Sequence, residues 1–266
     1  MPRVALGLSY LGSAYLGWQS QQGGNTVQDK LEEALRLFSG LPAGERVVTN
    51  CTGRTDSGVH ALMQVVHFDT PLSRTPFSWM RGTNRFLPDD IAVQWAQEVP
   101  AEFHCRAQAL TRRYAYIALQ SSMRPSIERG RVGWSHLPLD LQAMQDAAQM
   151  LLGEHDFSSF RAAQCQALSP VKTLLRADVS QRGAYFRFDF EATAFLHHMI
   201  RNLMGCLVTI GQGNKPPSWL GDVLAARNRS VAAPTFSADG LYFLGPTYAA
   251  HWGLPERTVA FDWLPV

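Results

Sequence analysis

The stretch from Val171 to Glu191 constrains the fold of this chain more than any other. Val171–Ser180 and Ala184–Glu191 both read as strands, and Gln181-Arg182-Gly183 between them carries a hairpin signal. In the second run Phe186, Phe188 and Phe190 alternate with Tyr185, Arg187 and Asp189, so one face is strongly apolar and must be covered. Further strand candidates lie at Arg3–Tyr10, Arg46–Cys51, Gln64–Asp69, Ile91–Val99, Arg113–Leu119 and Gly240–Thr247. Helical patterns fall between them, at Val27–Ser39, Phe77–Phe86, Leu139–Leu152, Leu196–Ile210 and Ser218–Ala226. The first helix has Thr26 to cap it, Asp29 in its first turn, and an apolar stripe of Leu31, Leu35 and Phe38. The order predicts an α+β fold with a first domain over residues 1–105 and a second over 106–266. Two similar α/β halves suggest an extended sheet shared between the domains, with a cleft between them.

At 266 residues, with 46% hydrophobic and 17% charged residues, the chain can bury ordinary globular cores. No run of 18 or more apolar residues suggests a membrane span. The apolar start is expected to be a strand rather than a secretion signal, because Val4, Leu6, Leu8 and Tyr10 alternate with small residues at that period. A cytoplasmic location is expected. Cys51, Cys105, Cys165 and Cys206 are widely spaced, which supports reduced, buried thiols rather than a zinc ribbon or dithiol. The net charge is only +2, yet the basic residues are 21 Arg against 3 Lys. Between Arg106 and Arg131 six arginines accompany a single acid, Glu128, with Tyr114 and Tyr116 interleaved. Phosphate contacts from guanidinium groups and stacking from rings are what an RNA surface needs; a solvated basic face is the alternative.

Gly53-Arg54-Thr55-Asp56-Ser57-Gly58-Val59-His60-Ala61 is the stretch most suggestive of chemistry. Gly53, Ser57 and Gly58 favour a loop. Arg54 and Asp56, two apart, can share one side of an extended or turning backbone. A guanidinium within about 4–6 Å of a carboxylate favours its ionised form, as a nucleophile or base requires. On the residues alone, a turn-capping aspartate with Arg54 as a surface partner is the better reading, because Asp is a standard loop residue.

This loop resembles the signature of the tRNA pseudouridine synthase A family, G-R-T-D-x-G-V-H-A. Other segments resemble it too: Tyr10-Leu11-Gly12 with Gly17-Trp18-Gln19, Arg81-Gly82-Thr83-Asn84, Leu87-Pro88-Asp89-Asp90-Ile91 and Arg112-Arg113-Tyr114. Later in the chain come Gly153-Glu154-His155-Asp156-Phe157, Phe195-Leu196-His197-His198-Met199-Ile200-Arg201-Asn202 and Gly240-Leu241-Tyr242. Leu11 stands where the family usually carries Asp.

The resemblance implies an RRM-like pair of domains and an isomerase that converts uridine to pseudouridine at positions 38, 39 and 40 of tRNA. It implies Asp56 as the nucleophile, with Arg54 and Arg201 as charge partners, and no cofactor or metal. Tyr114 stacks on the flipped uracil, Leu241 forms the opposite wall, and a homodimer carries one tRNA across both subunits. Arg112, Arg113, Arg161, His198 and Arg81 are the remaining candidates for RNA contact. The pattern of His198, Arg201, Asn202 and Gly205 is expected to lie on one side of a helix, opposite a buried stripe. Adjacent histidines on a helix diverge by about 100°, which argues against zinc. Arg112, Tyr114 and Tyr116 are expected on one face of a strand, polar and aromatic, suited to a cleft rather than a core. Trp18 reads as a packing residue. A non-catalytic tRNA-binding protein of the same fold would not need Asp56, and a small-molecule hydrolase would not need the arginine-rich second half.

Overall fold

The computed structural model describes residues 1–255, and the chain divides into two compact units. One is built from Met1–Leu110 and the segment that returns at Tyr242; the other is Thr111–Leu241. A continuous split near residue 105 therefore omits the returning segment from the first unit, because its strand runs parallel to one formed by residues 60–69.

In the first unit β1 (Arg3–Tyr10) pairs antiparallel with β3 (His60–Asp69) and with β4 (Ile91–Val99). The short β2 (Asn50–Cys51) adds to β3, and β10 (Leu241–Tyr248) joins β3 in parallel through Tyr242 and Phe243. Val4, Leu6 and Leu8 are buried on one face with Val66 and Phe68. Helices α1 (Val27–Ser39) and α2 (Pro76–Asn84) belong to this unit, and Trp79 of α2 meets both Phe68 and Phe38 edge-on at 5.2 and 5.3 Å. Thr26 and Asp29 form a reciprocal capping box that satisfies two backbone donors and fixes where α1 begins. Another core gathers Ala5, Met63, Val65, Val99, Phe103 and Cys105 under Trp95, Tyr248, Trp252 and Leu254.

In the second unit β5 (Ala109–Gln120) pairs antiparallel with β9 (Tyr185–Ala192), which pairs with β8 (Val171–Arg182) and then β7 (Gly153–Asp156). The three-residue β6 (Gly133–Ser135) runs parallel to β5. Phe186, Phe188 and Phe190 are fully buried, and Ala118, Tyr116 and Tyr114 stand directly opposite them on β5. Helices α3 (Leu141–Gln149), α4 (Met199–Gly211) and α5 (Trp219–Ala226) complete the unit, with α3 packed against β8 and α4. Both units are α+β with mainly antiparallel pairing.

Two sequence expectations fail here for identifiable reasons. Tyr116 is not on a cleft-like face: it is completely buried and donates its hydroxyl to the Ser237 carbonyl at 3.0 Å, so the ring can enter the core without an unpaired phenol. Every residue from Tyr114 to Leu119 is buried, so alternation along β5 carries no polar signal. The helix expected from Leu196 begins at Met199, preceded by His198 in a left-handed conformation at φ 59°. Among the described residues no helix is long and apolar enough to cross a membrane. All four cysteines are free thiols; Cys105 and Cys206 are buried, whereas Cys51 and Cys165 are only half-buried.

Candidate active site

Residues 53–59 form a loop between β2 and β3, and neighbouring chain grips it from beneath. Thr55 is buried, whereas Arg54 is exposed and Asp56 half-buried, so the loop turns its threonine inward and leaves both charged residues nearer solvent. The Thr55 hydroxyl is 2.8 Å from the Tyr10 phenol, and the Thr55 carbonyl accepts from Trp18 N at 3.0 Å. Ser57 Oγ donates to the Tyr15 carbonyl at 3.1 Å, and Val59 N closes the turn onto the Asp56 carbonyl. Gln64 Nε2 holds the Gly53 carbonyl at 2.6 Å. The Thr52 hydroxyl, just before the loop, lies 3.0 and 3.2 Å from the Val65 and Cys105 carbonyls and 2.8 Å from the Tyr248 hydroxyl.

The segment 10–18 is the main clamp. Gly17, at φ 90°, approaches so closely that a Cβ there would lie 2.7 Å from the Thr55 carbonyl oxygen. Gly12 is closer still, 1.9 Å by the same measure from the Val59 oxygen, and its N–H donates to His60 Nδ1 at 2.9 Å. Tyr15 is anchored from the other side by a 2.5 Å hydrogen bond to Asp90 Oδ1, while Leu11 N donates to the Asp90 carbonyl. Burial, and then that contact with the Asp90 carboxylate, pushes the Tyr15 phenol above its ordinary pKa. Trp18 is buried beside Tyr10, a packing residue as expected. Tyr15 and Asp90 are the residues of this clamp whose purpose was not visible in the sequence, since they act through partners 75 positions apart.

In the second unit the Arg112-Arg113-Tyr114 and Phe195–Asn202 segments meet. Tyr114 packs edge-to-face on Phe195 at 5.1 Å, and Arg112 Nη1 donates to the Thr193 carbonyl at 2.9 Å. Arg113 Nε is buried without a hydrogen-bond partner among the described residues. The His197 and His198 rings lie 4.0 Å apart, tilted at 43°, just before α4, so the argument from helical divergence does not apply to them. Nor do His198, Arg201, Asn202 and Gly205 share an open side. Asn202 and Gly205 are buried, because residues 229–237 strap across that side of α4. Arg201 Nε donates to the Phe236 carbonyl at 3.0 Å, and Phe236 N returns a bond to the Arg201 carbonyl, which together fix the plane of the guanidinium. The strap leads to Leu241, which is 4% exposed and whose N–H is held by the Ala238 carbonyl.

Asn202 ties this arrangement together. Its Nδ2 donates to the Phe160 carbonyl at 2.8 Å, and its Oδ1 accepts from Thr235 Oγ1 at 2.6 Å and Arg229 Nη2 at 3.1 Å. Asn202→Leu keeps much of the volume but leaves the buried Phe160 carbonyl unpaired, at about 1–3 kcal/mol, and removes the part-buried bonds from Thr235 and Arg229, whose groups water can reach. We expect a loss of about 2–3 kcal/mol, read as a lower urea midpoint at unchanged slope. Arg161 Nη2 donates to the Cys165 and Ala167 carbonyls at 2.7 Å. Arg81 is exposed on α2 with its guanidinium 5.6 Å from the Phe77 ring.

His67, His104 and Cys105 bring possible metal-ligating atoms within 4.8 Å of one another. However, His67 Nδ1 accepts from Cys105 N, and His104 Nδ1 accepts from Arg106 N and Ala107 N. A neutral imidazole that accepts at Nδ1 carries its proton on Nε2, so these rings present donors rather than ligands. Burial also pushes the Cys105 thiol up to about 12, away from the thiolate a metal needs.

A family model described as tRNA pseudouridine synthase matches residues 8–106 and 147–249, which include the clamped loop and the Phe195–Asn202 segment. The chain belongs to the tRNA pseudouridine synthase family. A tRNA pseudouridine synthase A from Albidiferax ferrireducens is 69% identical over 263 residues, covering 99% of this chain and all of that one. Those of Polaromonas naphthalenivorans and Paracidovorax citrulli are 68% and 63% identical, again over 99% of this chain and their full lengths. Similarity to these synthases thus runs through both units rather than through the aspartate loop alone.

Proposed function

We propose that this member of the synthase family isomerises uridine to pseudouridine in the anticodon stem-loop of tRNA, at positions 38, 39 and 40, with Asp56 as the nucleophile. The observation that carries the reading is an aspartate in the family's signature loop, held on a backbone gripped at Gly53, Thr55 and Ser57. Such rigidity is what a positioned nucleophile requires. A stacked uridine hides both its sugar carbon and its ring carbon, so the base must first leave the stack. The N1–C1′ bond then breaks, the uracil turns and C5–C1′ forms. One proton leaves C5 and one is gained at N1, so the reaction balances as an isomerisation without oxidant, reductant or cofactor.

Arg54 and Arg201 serve as charge partners of the reacting group. Tyr114 stacks on the uracil and takes the C5 proton, while Leu241 supplies the apolar wall. Arg112, Arg113, Arg161, His198 and Arg81 contact the RNA, helped by an arginine-rich chain suited to phosphate. The enzyme acts in the cytoplasm as a homodimer.

The test uses tRNA transcript carrying uridine tritiated at C5, whose label enters water only when C5 bonds to the sugar. Release by the wild-type protein is expected, and none would overturn the reading. Sedimentation at micromolar concentration is expected to give twice the chain mass of 29.6 kDa; a single-chain mass would remove the dimer.

A further inference from the structure

Asp90 is the last residue before β4, and its main chain is set by its neighbour Ile91. Ile91 is buried opposite Tyr10 of β1, and its N–H donates to the Pro88 carbonyl at 3.0 Å. From this fixed point Asp90 makes two bonds to the chain that follows β1. Its main-chain carbonyl accepts from Leu11 N at 2.9 Å, and its Oδ1 accepts from the Tyr15 hydroxyl at 2.5 Å. Between those anchors the chain closes one turn, with Tyr15 N donating to the Gly12 carbonyl at 3.0 Å. Residues 11–15 thus form an arch with both feet on a single aspartate.

The Asp56 loop rests on this arch. Gly12 N donates to His60 Nδ1 at 2.9 Å, and the Tyr15 carbonyl accepts from Ser57 Oγ at 3.1 Å. Three residues further on, Trp18 N donates to the Thr55 carbonyl at 3.0 Å. Thr55 and Ser57 are the two neighbours of Asp56, so the arch and its continuation hold the main chain on both sides of that residue. Tyr15 works in two directions at once, its phenol on Asp90 and its carbonyl on Ser57. It is 5% exposed, which leaves its ring little room to swing elsewhere. A hydrogen bond accepted by a carboxylate is also stronger than one between neutral groups.

We infer that Asp90 and Tyr15 are positioning residues for the isomerisation, acting as one anchor that sets where Ser57, and with it the Asp56 carboxylate, stands. Loss of the phenol–carboxylate bond frees the far foot of the arch while the near foot, a main-chain bond at Leu11, remains. The fold therefore survives and the loop shifts. The inference rests on Asp56 being the nucleophile.

The test compares Tyr15→Phe, Asp90→Ala, Asp90→Asn and the Tyr15→Phe/Asp90→Ala double variant, with kcat, KM and equilibrium tRNA affinity measured for each. Misplacement of a reacting group by about 1 Å costs up to roughly 100-fold. Tyr15→Phe and Asp90→Ala are each expected to lower kcat by about 10- to 100-fold, with KM and tRNA affinity within about twofold. The double variant is expected to be no worse than the poorer single one, because both remove the same bond. Asp90→Asn keeps an oxygen that can accept from the phenol and is expected to stay within about threefold of wild-type kcat. Asp140→Ala is the control for lost stability alone. Its carboxylate caps α3 in the other unit by accepting from Ala143 N at 3.0 Å, so its loss lowers the urea midpoint and is expected to leave kcat unchanged.

Wild-type kcat in Tyr15→Phe, or losses that multiply in the double variant, would overturn the anchor. An Asp90→Asn protein as poor as Asp90→Ala, or an equal loss of kcat in Asp140→Ala, would do the same. Should Asp90→Ala fail to fold, by far-ultraviolet circular dichroism, Tyr15→Phe still decides. Absence of isomerisation by the wild type would instead strike the proposed activity, so the two failures are distinguishable.

Discussion

Asp56→Asn is expected to lower the rate of isomerisation by at least about 10⁴-fold while tRNA affinity stays within a few-fold of wild type. The substitution is isosteric, and the bond that closes the loop is accepted by the Asp56 main-chain carbonyl, which asparagine retains. The residue is half-buried, and the grip on the loop falls on its neighbours Gly53, Thr55 and Ser57. The substitution thus keeps the side chain's shape and removes its charge. A neutral amide has neither the charge nor the lone-pair basicity to attack the sugar or ring carbon, and nothing else in the loop replaces it. Asp56→Ala is the companion variant, because it cannot deamidate back to the acid. Tritium release is read in single turnover with enzyme in excess, so that slow product release cannot mask the step. Substantial release by both variants would show that Asp56 is not the nucleophile, and loss of affinity in parallel with rate would show a binding role instead.

How much of this was legible in the sequence depends on how local each cause is. β1 and β4 were bounded as expected, and so was α1, whose capping box supplies its own start signal. β6 and β7 are three and four residues long, too short for any period to register, and they exist only because a neighbouring strand offers bonds. The expected strand at 46–51 shrank to Asn50–Cys51 for the same reason, since only those residues face β3. In the site, the loop carrying Arg54 and Asp56 was visible as a cluster of turn residues. Its supports were not. Gln64 reads as a polar residue in a strand, and Asn202 reads as solvent-facing on a helix whose far side is covered by a strap arriving from residues 229–237. Long-range burial turns residues that look solvent-facing into structural links, and no window of sequence contains both halves of the contact.

Gly12→Ala should show this dependence most sharply. A Cβ at position 12 would lie 1.9 Å from the Val59 carbonyl oxygen and 2.6 Å from its carbon, where real contacts are essentially never under 3.0 Å. The obstacle is main chain, which cannot rotate aside as a side-chain tip would, so segment 12–17 and the start of β3 must separate by about 1 Å or more. Separation also stretches the bond from Gly12 N to His60 Nδ1, and Val59 is tied by its own N–H to the Asp56 carbonyl. Overpacking of about 1–3 kcal/mol plus about 1 kcal/mol for the strained hydrogen bond gives an expected destabilisation of about 3 kcal/mol. Displacement passed to Asp56 is expected to lower kcat by about 100-fold in the molecules that remain folded. Gly40→Ala separates the causes. Gly40 caps α1 at φ 71° with nothing within 4 Å, so it loses about 1 kcal/mol to backbone strain and touches no part of the loop. Its kcat is expected to match wild type. If Gly12→Ala kept wild-type kcat, or if Gly40→Ala lost as much of it, close approach of the 10–18 segment would not be what holds the Asp56 loop in place.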